Sequence, residues 1–308
     1  MAETNDYQTS LTVWIISDDK PGHSNQSLGL AEALVRVVPT QVFTFRALPT
    51  WRAWVAFLFR KFPHFPSPSP DVILGAGHAT HLSLLAAKRA CGGRTIVLMK
   101  PSLPSGCFDL RILPEHDGVA ANERTLLSEG ALNRIQPSSG RDTHQGLILL
   151  GGVSKHFDWD NDAIMLQIKS ILARTPDTHW ILTTSRRTPP DFLSELPASP
   201  NLTVTPHTDT TLDWLSNQLA QCGTVWVTPD SASMVYEALT AGADVGVFDL
   251  PVRPKSRVGW AIAHLADSKR ITRFVYWCAH GTLHRNRHPL AEADRCADWI
   301  HKWLKKKN

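Results

Sequence analysis

The chain has 308 residues, about twice a typical domain, and is 43% hydrophobic and 19% charged, which excludes a disordered chain and predicts two domains of ordinary size. Its net charge of +4 is small, and no nucleic-acid partner is expected. Cys91, Cys107, Cys222, Cys278 and Cys296 are scattered without a C-x-x-C pair, so neither a disulfide framework nor a metal site is expected, and a reducing compartment fits.

Residues 1–10 are polar, with no basic region leading into an apolar stretch, and no run of about 18 apolar residues follows. The expectation is a cytoplasmic protein that neither takes the secretory route nor spans a membrane. Leu11–Ser17 (LTVWIIS) reads as a buried strand, followed by a polar loop and a helix over residues 26–37. Between positions 35 and 70 stand Arg36, Arg46, Arg52, Arg60 and Lys61 with no acidic residue. Residues 51–65 (WRAWVAFLFRKFPHF), which open on Trp51 and close on Phe65, set aromatics among three of these cations. That pattern fits a peripheral membrane contact, or equally a core helix with a basic outer face. The prolines of residues 63–70 read as an extended connector.

The grammar of strand, loop and helix then repeats. A strand at 71–74, a helix at about 80–90 and strands at 95–99 and 110–113 complete the first half. A segment rich in Ser, Gly and Arg, residues 136–145 (QPSSGRDTHQ), marks the expected boundary between domains 1–140 and 141–308, with a last helix that can cross back to the first domain. The second half predicts strands at 147–150, 180–183, 224–227 and 245–248 and helices at 162–174, 212–221 and 233–241. Alternation of this kind gives an α/β protein of two doubly wound, Rossmann-like domains with parallel sheets.

Ligands of open α/β sheets bind beyond the carboxyl ends of strands, so the loops there are where chemistry is expected. Four stand out. In the first, residues 18–26 (DDKPGHSNQ), His23 is a candidate general base with Asp19 beside it; a surface or structural His is the plainer alternative. In the second, Gly75-Ala76-Gly77-His78, the glycines serve either a tight turn near an anion or helix–strand packing, and His78 is open to both roles. The third, Gly151, Gly152, Val153, Ser154 and Lys155, combines permissive backbone with a hydroxyl and a cation without being a Walker sequence, and Ser185, Arg186 and Arg187 follow at the end of the next strand. The fourth holds Asp230, Ser231, Ser233 and Met234 at a helix start, with Glu237 one turn inward from Ser233; a capped helix with a surface Glu is the alternative.

In this order the four loops resemble the undecaprenyl-diphospho-muramoylpentapeptide N-acetylglucosaminyltransferase family. Pro21-Gly22-His23 is similar to its Gly-Gly-His loop, residues 70–77 (PDVILGAG) to its Pro-Asp-Val-Val-Leu-Gly-x-Gly, Gly151-Gly152-Val153-Ser154 to its Gly-Gly-Ser, and Ser231 with Glu237, then Ala241-Gly242, to its donor helix. The chain departs from that pattern in lacking a run of glycines in the first loop and in carrying Pro251-Val252-Arg253-Pro254-Lys255 after the last strand. A closer resemblance, over nearly the whole chain, is to the family named for a plant mitochondrial fission factor. It rests on an Asp (Asp18 or Asp19) leading into Pro21-Gly22-His23 and on through Leu34, on Gly-Gly-x-Ser-Lys at 151–155, on Ser-Arg-Arg-Thr-Pro at 185–189, and on Asp-Ser-x-Ser-Met-Val-x-Glu-Ala at 230–238.

These resemblances imply the glycosyltransferase B architecture, two domains facing across a cleft. They also imply transfer of a sugar from a nucleotide-diphosphate-sugar donor, as substrate and with no further cofactor or metal. The expected acceptor is a saccharide, lipid-linked as in lipopolysaccharide or peptidoglycan precursors, handled at the inner face of the cytoplasmic membrane. Gly151, Gly152, Ser154, Lys155, Ser185, Arg186, Arg187, Asp230, Ser231, Ser233, Met234 and Glu237 would hold the donor, and His23, with His78 and Asp19 behind it, would be the base. An epimerase or hydrolase of nucleotide sugars, or a non-catalytic scaffold, are the alternatives.

Overall fold

The structure, a computed structural model, describes residues 10–63, 67–196, 198–211 and 213–306. The polar residues 1–9, part of the proline connector with Phe65, the helix start expected at Leu212, and Lys307 lie outside the described residues. The chain divides into unit 1, residues 1–134 and 292–308, and unit 2, residues 135–291. The boundary expected at 140/141 therefore falls inside the first residues of unit 2.

Unit 1 runs β1 (Leu11–Ser17), α1 (Pro21–Val37), β2 (Thr40–Arg46), α2 (Thr50–Phe59), β3 (Val72–Ala76), α3 (His81–Cys91), β4 (Arg94–Leu98), β5 (Leu110–Pro114) and β6 (Thr125–Ser128). Unit 2 runs β7 (Asp142–Leu149), α4 (Asn161–Arg174), β8 (His179–Thr183), β9 (Leu202–Thr205), α5 (Trp214–Gln221), β10 (Cys222–Val227), α6 (Ala232–Ala241), β11 (Asp244–Val247), α7 (Arg257–Asp267), β12 (Thr272–Arg273) and α8 (Phe274–His280). The final helix, α9 (Glu292–Lys306), belongs to unit 1 and packs on α1.

Both sheets are parallel throughout. Unit 1 has the order β2-β1-β3-β4-β5-β6 and unit 2 the order β12-β11-β10-β7-β8-β9. Parallel strands need both faces covered, and β1 is apolar on both. Val13 and Ile15 face a core with Leu30 and Leu34 of α1 and Ile300 and Trp303 of α9, whereas Trp14 and Ile16 face Ala56 of α2 and Leu84 of α3. Tryptophan anchors the sheets: Trp14, Trp180 and Trp226 are fully buried, and the cross-strand neighbours Gly146 and Gly246 leave room for the rings of Trp180 and Trp226. Truncating one of these rings to Ala costs about 3–5 kcal/mol.

Two elements depart from expectation where it bears on the site. The helix expected from residue 26 begins at Pro21, because proline at the first helical position has a preset φ and lacks an N–H that would have no partner there anyway. His23 therefore sits in the first turn of α1 rather than in a loop. The strand expected at 71–74 extends through Gly75 and Ala76, where a Cβ on Gly75 would press on Leu84 and Thr80. Gly75 serves helix–strand packing.

Candidate functional site

In each sheet the strand order reverses once, between β1 and β3 in unit 1 and between β7 and β10 in unit 2. Chains leaving neighbouring strands in opposite directions open a crevice at such a point. The segments after β1 and β3 carry His23, in the first turn of α1, with Gly77 and His78; those after β7 and β10 carry Gly151, Gly152, Asp230 and Ser231, with Ser233 in the first turn of α6.

In unit 2 the Gly151–Gly152 strap is fastened from both sides. The Gly151 N–H donates to Thr228 Oγ1 at 2.7 Å and the Gly152 N–H to Asp230 Oδ2 at 3.0 Å. From the other side, the Ser185 and Thr188 hydroxyls donate to the Gly151 carbonyl at 2.5 and 2.6 Å, and the Val153 N–H donates to the Arg187 carbonyl at 3.0 Å. Gly152 has φ 152°, and a Cβ there would collide with the Arg187 carbonyl, so the position demands glycine. Asp230, with its side chain 1% exposed, pairs with Arg187 Nη1 at 2.6 Å. A buried carboxylate requires such a partner, and its second oxygen, Oδ1, has none among the described residues.

The helix that follows, α6, has Ser231 at its N-cap position, and no side-chain hydrogen bond caps it. The hydroxyls of Ser231 and Ser233 lie 3.5 Å apart, with Ser233 exposed. An uncapped N-terminus leaves N–H donors and the positive end of the helix dipole available to an anion. Met234 packs against the unit 2 core. Glu237 is only 8% exposed, which removes the alternative of a surface glutamate.

The cations of this region are partly structural. Lys155 and Arg186 are exposed, while Arg187 is committed to Asp230. The Ser154 hydroxyl accepts the N–H groups of His156 and Phe157 at 3.1 and 3.3 Å, which shapes the strap's exit. Sequence patterns gave no notice of His156, whose Nδ1 lies 3.2 Å from the Ser256 hydroxyl. Burial pulls its pKa below 6.5, and the charges of Lys155, Arg257 and Arg187 pull it further, against Asp230. Segment 251–256, at which the chain departs from the transferase pattern, explains the meeting. It pairs with 156–158 through Phe157 and Val252, through the Arg253 N–H to the His156 carbonyl, and through Arg253 to Asp158 at 2.6 Å.

In unit 1 the His23 Nδ1 lies 2.9 Å and 3.0 Å from the two oxygens of Asp18, whose side chain is 5% exposed. A carboxylate on Nδ1 fixes the tautomer that leaves Nε2 as a proton acceptor. Gly77, at φ +84°, receives the imidazole at a place where any Cβ would overlap the ring. Of the two candidates for the aspartate that leads into Pro21-Gly22-His23, Asp18 is the one on His23. Asp19 adopts the left-handed conformation, φ 60°, and its carboxylate turns to Arg46 at 2.9 Å. His78 is exposed in a short 3-10 turn, and its neighbour His81 is buried, with Nδ1 3.1 Å from the Ser102 hydroxyl. Burial, then the charge of His78, pushes the pKa of His81 down to about 4.

The fold is shared with known proteins. MurG from Acinetobacter baumannii matches 95% of this chain and 99% of its own, at 13% identity and a TM-score of 0.53. A putative UDP-N-acetylglucosamine 2-epimerase from Listeria monocytogenes matches 97% and 96%, at 12% identity and a TM-score of 0.62. Likeness at such identity is one of architecture, two Rossmann-like units of the glycosyltransferase B type. The uncharacterized protein RP120 of Rickettsia prowazekii (strain Madrid E) is 22% identical over 306 residues, covering 78% of this chain and 84% of that one. The model of the family described as mitochondrial fission ELM1 matches residues 21–304, and the chain belongs to that family.

Proposed function

We propose that the protein is a metal-independent glycosyltransferase that takes a nucleoside-diphosphate sugar as donor and a saccharide, lipid-linked in the cell envelope, as acceptor at the cytoplasmic membrane face. The observation that carries this reading is the uncapped N-terminus of α6 at the sheet reversal of unit 2, with Ser231 and Ser233 on it and the glycine strap beside it. The donor's diphosphate is bound by the α6 N–H groups and the two hydroxyls, and Lys155 and Arg187 add positive charge. Glu237, one turn inward, accepts hydrogen bonds from the ribose diol.

In the reaction, a bond forms between the acceptor oxygen and the anomeric carbon while the bond from that carbon to the diphosphate breaks. The acceptor's proton passes to Nε2 of His23, held by Asp18, and the electron pair of the broken bond leaves on the diphosphate. Its negative charge grows where the α6 dipole and the cations already stand, which lowers the barrier.

Calorimetric titration with UDP and the other nucleoside diphosphates tests the donor site. Wild type is expected to bind at least one of them, Glu237→Gln about tenfold more weakly and Ser233→Ala about fivefold more weakly. Equal affinity in both variants sinks the site, and no binding at all sinks the function. The Listeria neighbour favours a second reading, action on the nucleotide sugar alone. Incubation with donor and no acceptor distinguishes the two, because only an epimerase or hydrolase turns it over rapidly.

A further inference from the structure

Helix α2 wears its apolar side outward. Trp51, Trp54, Val55 and Leu58 stand at i, i+3, i+4 and i+7, the spacing of a core-facing stripe, yet they are 64%, 49%, 47% and 65% exposed, and Phe59 is 70% exposed. The face turned inward is made of Ala53 and Ala56, small enough to bring α2 close to α3. An outward stripe with two tryptophans has no role in packing the unit, and exposed apolar patches of this kind mark a partner.

The charges around the stripe identify the partner. Arg52, Arg60 and Lys61 adjoin it, and Arg89 of α3 lies over the Phe57 ring at 4.7 Å. Among the described residues none of these four is paired with a carboxylate. A groove on the same face has Val55 and Phe59 in its lining together with the cations Arg52 and Lys61. Tryptophan and phenylalanine rings beside unneutralised basic side chains suit the boundary between anionic headgroups and acyl chains, where long cationic side chains keep their heads among the phosphates. A second copy of the chain fits poorly, since a symmetric contact would set Arg52, Arg60 and Lys61 against their own copies.

We infer that the outward face of α2, with Arg89, docks the protein on an anionic lipid bilayer. This inference goes beyond the transferase reading and does not depend on it. The test is cosedimentation of the full chain with vesicles of phosphatidylcholine alone and of phosphatidylcholine mixed with phosphatidylglycerol, at low and high salt. Wild type is expected to partition to the mixed vesicles about tenfold or more in excess of the neutral ones and to lose that excess in high salt.

Two sets of surface substitutions complete the test. Trp51→Ser with Trp54→Ser, Leu58→Ser and Phe59→Ser should weaken partitioning to both vesicle types by about tenfold or more. Arg52→Gln with Arg60→Asn and Lys61→Gln should abolish only the preference for the anionic surface; Asn suits Arg60 because that residue caps α2 in the left-handed conformation. Absence of wild-type binding to the mixed vesicles overturns the inference, as does binding that neither variant changes. A dimer in light scattering that the apolar variant dissolves assigns the face to self-association instead and overturns it too. Circular dichroism and nucleoside-diphosphate titration of the same variants separate this outcome from failure of the donor site, which lies in the other unit.

Discussion

The two sheet reversals occupy equivalent places in the same architecture, yet they hold opposite chemistry. That of unit 1 holds an oriented ionisable pair, Asp18 and His23, settled against Gly77. That of unit 2 holds backbone: a glycine strap bound to Thr228, Asp230, Ser185 and Thr188, and an uncapped helix end. One is suited to moving a proton and the other to receiving an anion. The fold sets the place, and the loop residues set the chemistry.

The sharpest way to break that contrast is to add one methyl group on each side. Gly152→Ala drives a Cβ into the Arg187 carbonyl at a φ that L-residues avoid, and is expected to cost unit 2 about 3 kcal/mol in denaturant unfolding. Gly22→Ala, in the first turn of α1 with nothing within 4 Å of its Cβ, should stay within about 0.5 kcal/mol of wild type. Equal losses would show that the strap is no more constrained than the start of α1.

Removing the carboxylate charges is the next test. Asp230→Asn leaves Arg187 facing a neutral amide and weakens the acceptor for the Gly152 N–H, at about 2 kcal/mol after allowance for the exposure of Arg187. Asp18→Asn, which keeps a side-chain oxygen beside His23 Nδ1, should cost about 1 kcal/mol. A larger loss for Asp18 would reverse the division of labour drawn above.

The smallest expected effect concerns pH. His81 binds its proton at pH 6.5 when unfolded but only near 4 when folded, so the unfolded chain takes up more protons in between. The stability that His81 contributes is full above pH 6.5 and is lost progressively on acidification to about pH 4. His81→Gln should flatten that part of the profile. A wild-type profile already flat from pH 6.5 to 4 would contradict the assignment.

Much of this was legible in the sequence because parallel sheets advertise themselves: each buried strand is an apolar run, and each candidate loop follows one. The positions of Gly151, Gly152, Ser231 and Ser233 just beyond strands follow from that pattern. β2 escaped because the edge strand Thr40–Arg46 alternates polar and apolar residues, and the first half of β7 because it is the polar segment expected to be a linker, whereas its apolar second half reads as a strand. The choice between Asp18 and Asp19 turned on one left-handed residue, a property of backbone that side-chain patterns do not record. His156 was missed because its surroundings arise from pairing between segments nearly a hundred residues apart. The Pro at the start of α1 was a usable signal that the polar composition after it concealed.

Helix α9 has a bearing on biosynthesis. Cys296, Ala297, Ile300 and Trp303 are buried in the same core as Val13, Ile15 and Leu30, and Arg36 reaches across to Asp294. On the ribosome, residues 10–134 therefore emerge without the helix that covers one side of their sheet, and they wait for it while all of unit 2 is made. Unit 2, continuous from 135 to 291, can close first. Unit 1 is begun before unit 2 and finished after it.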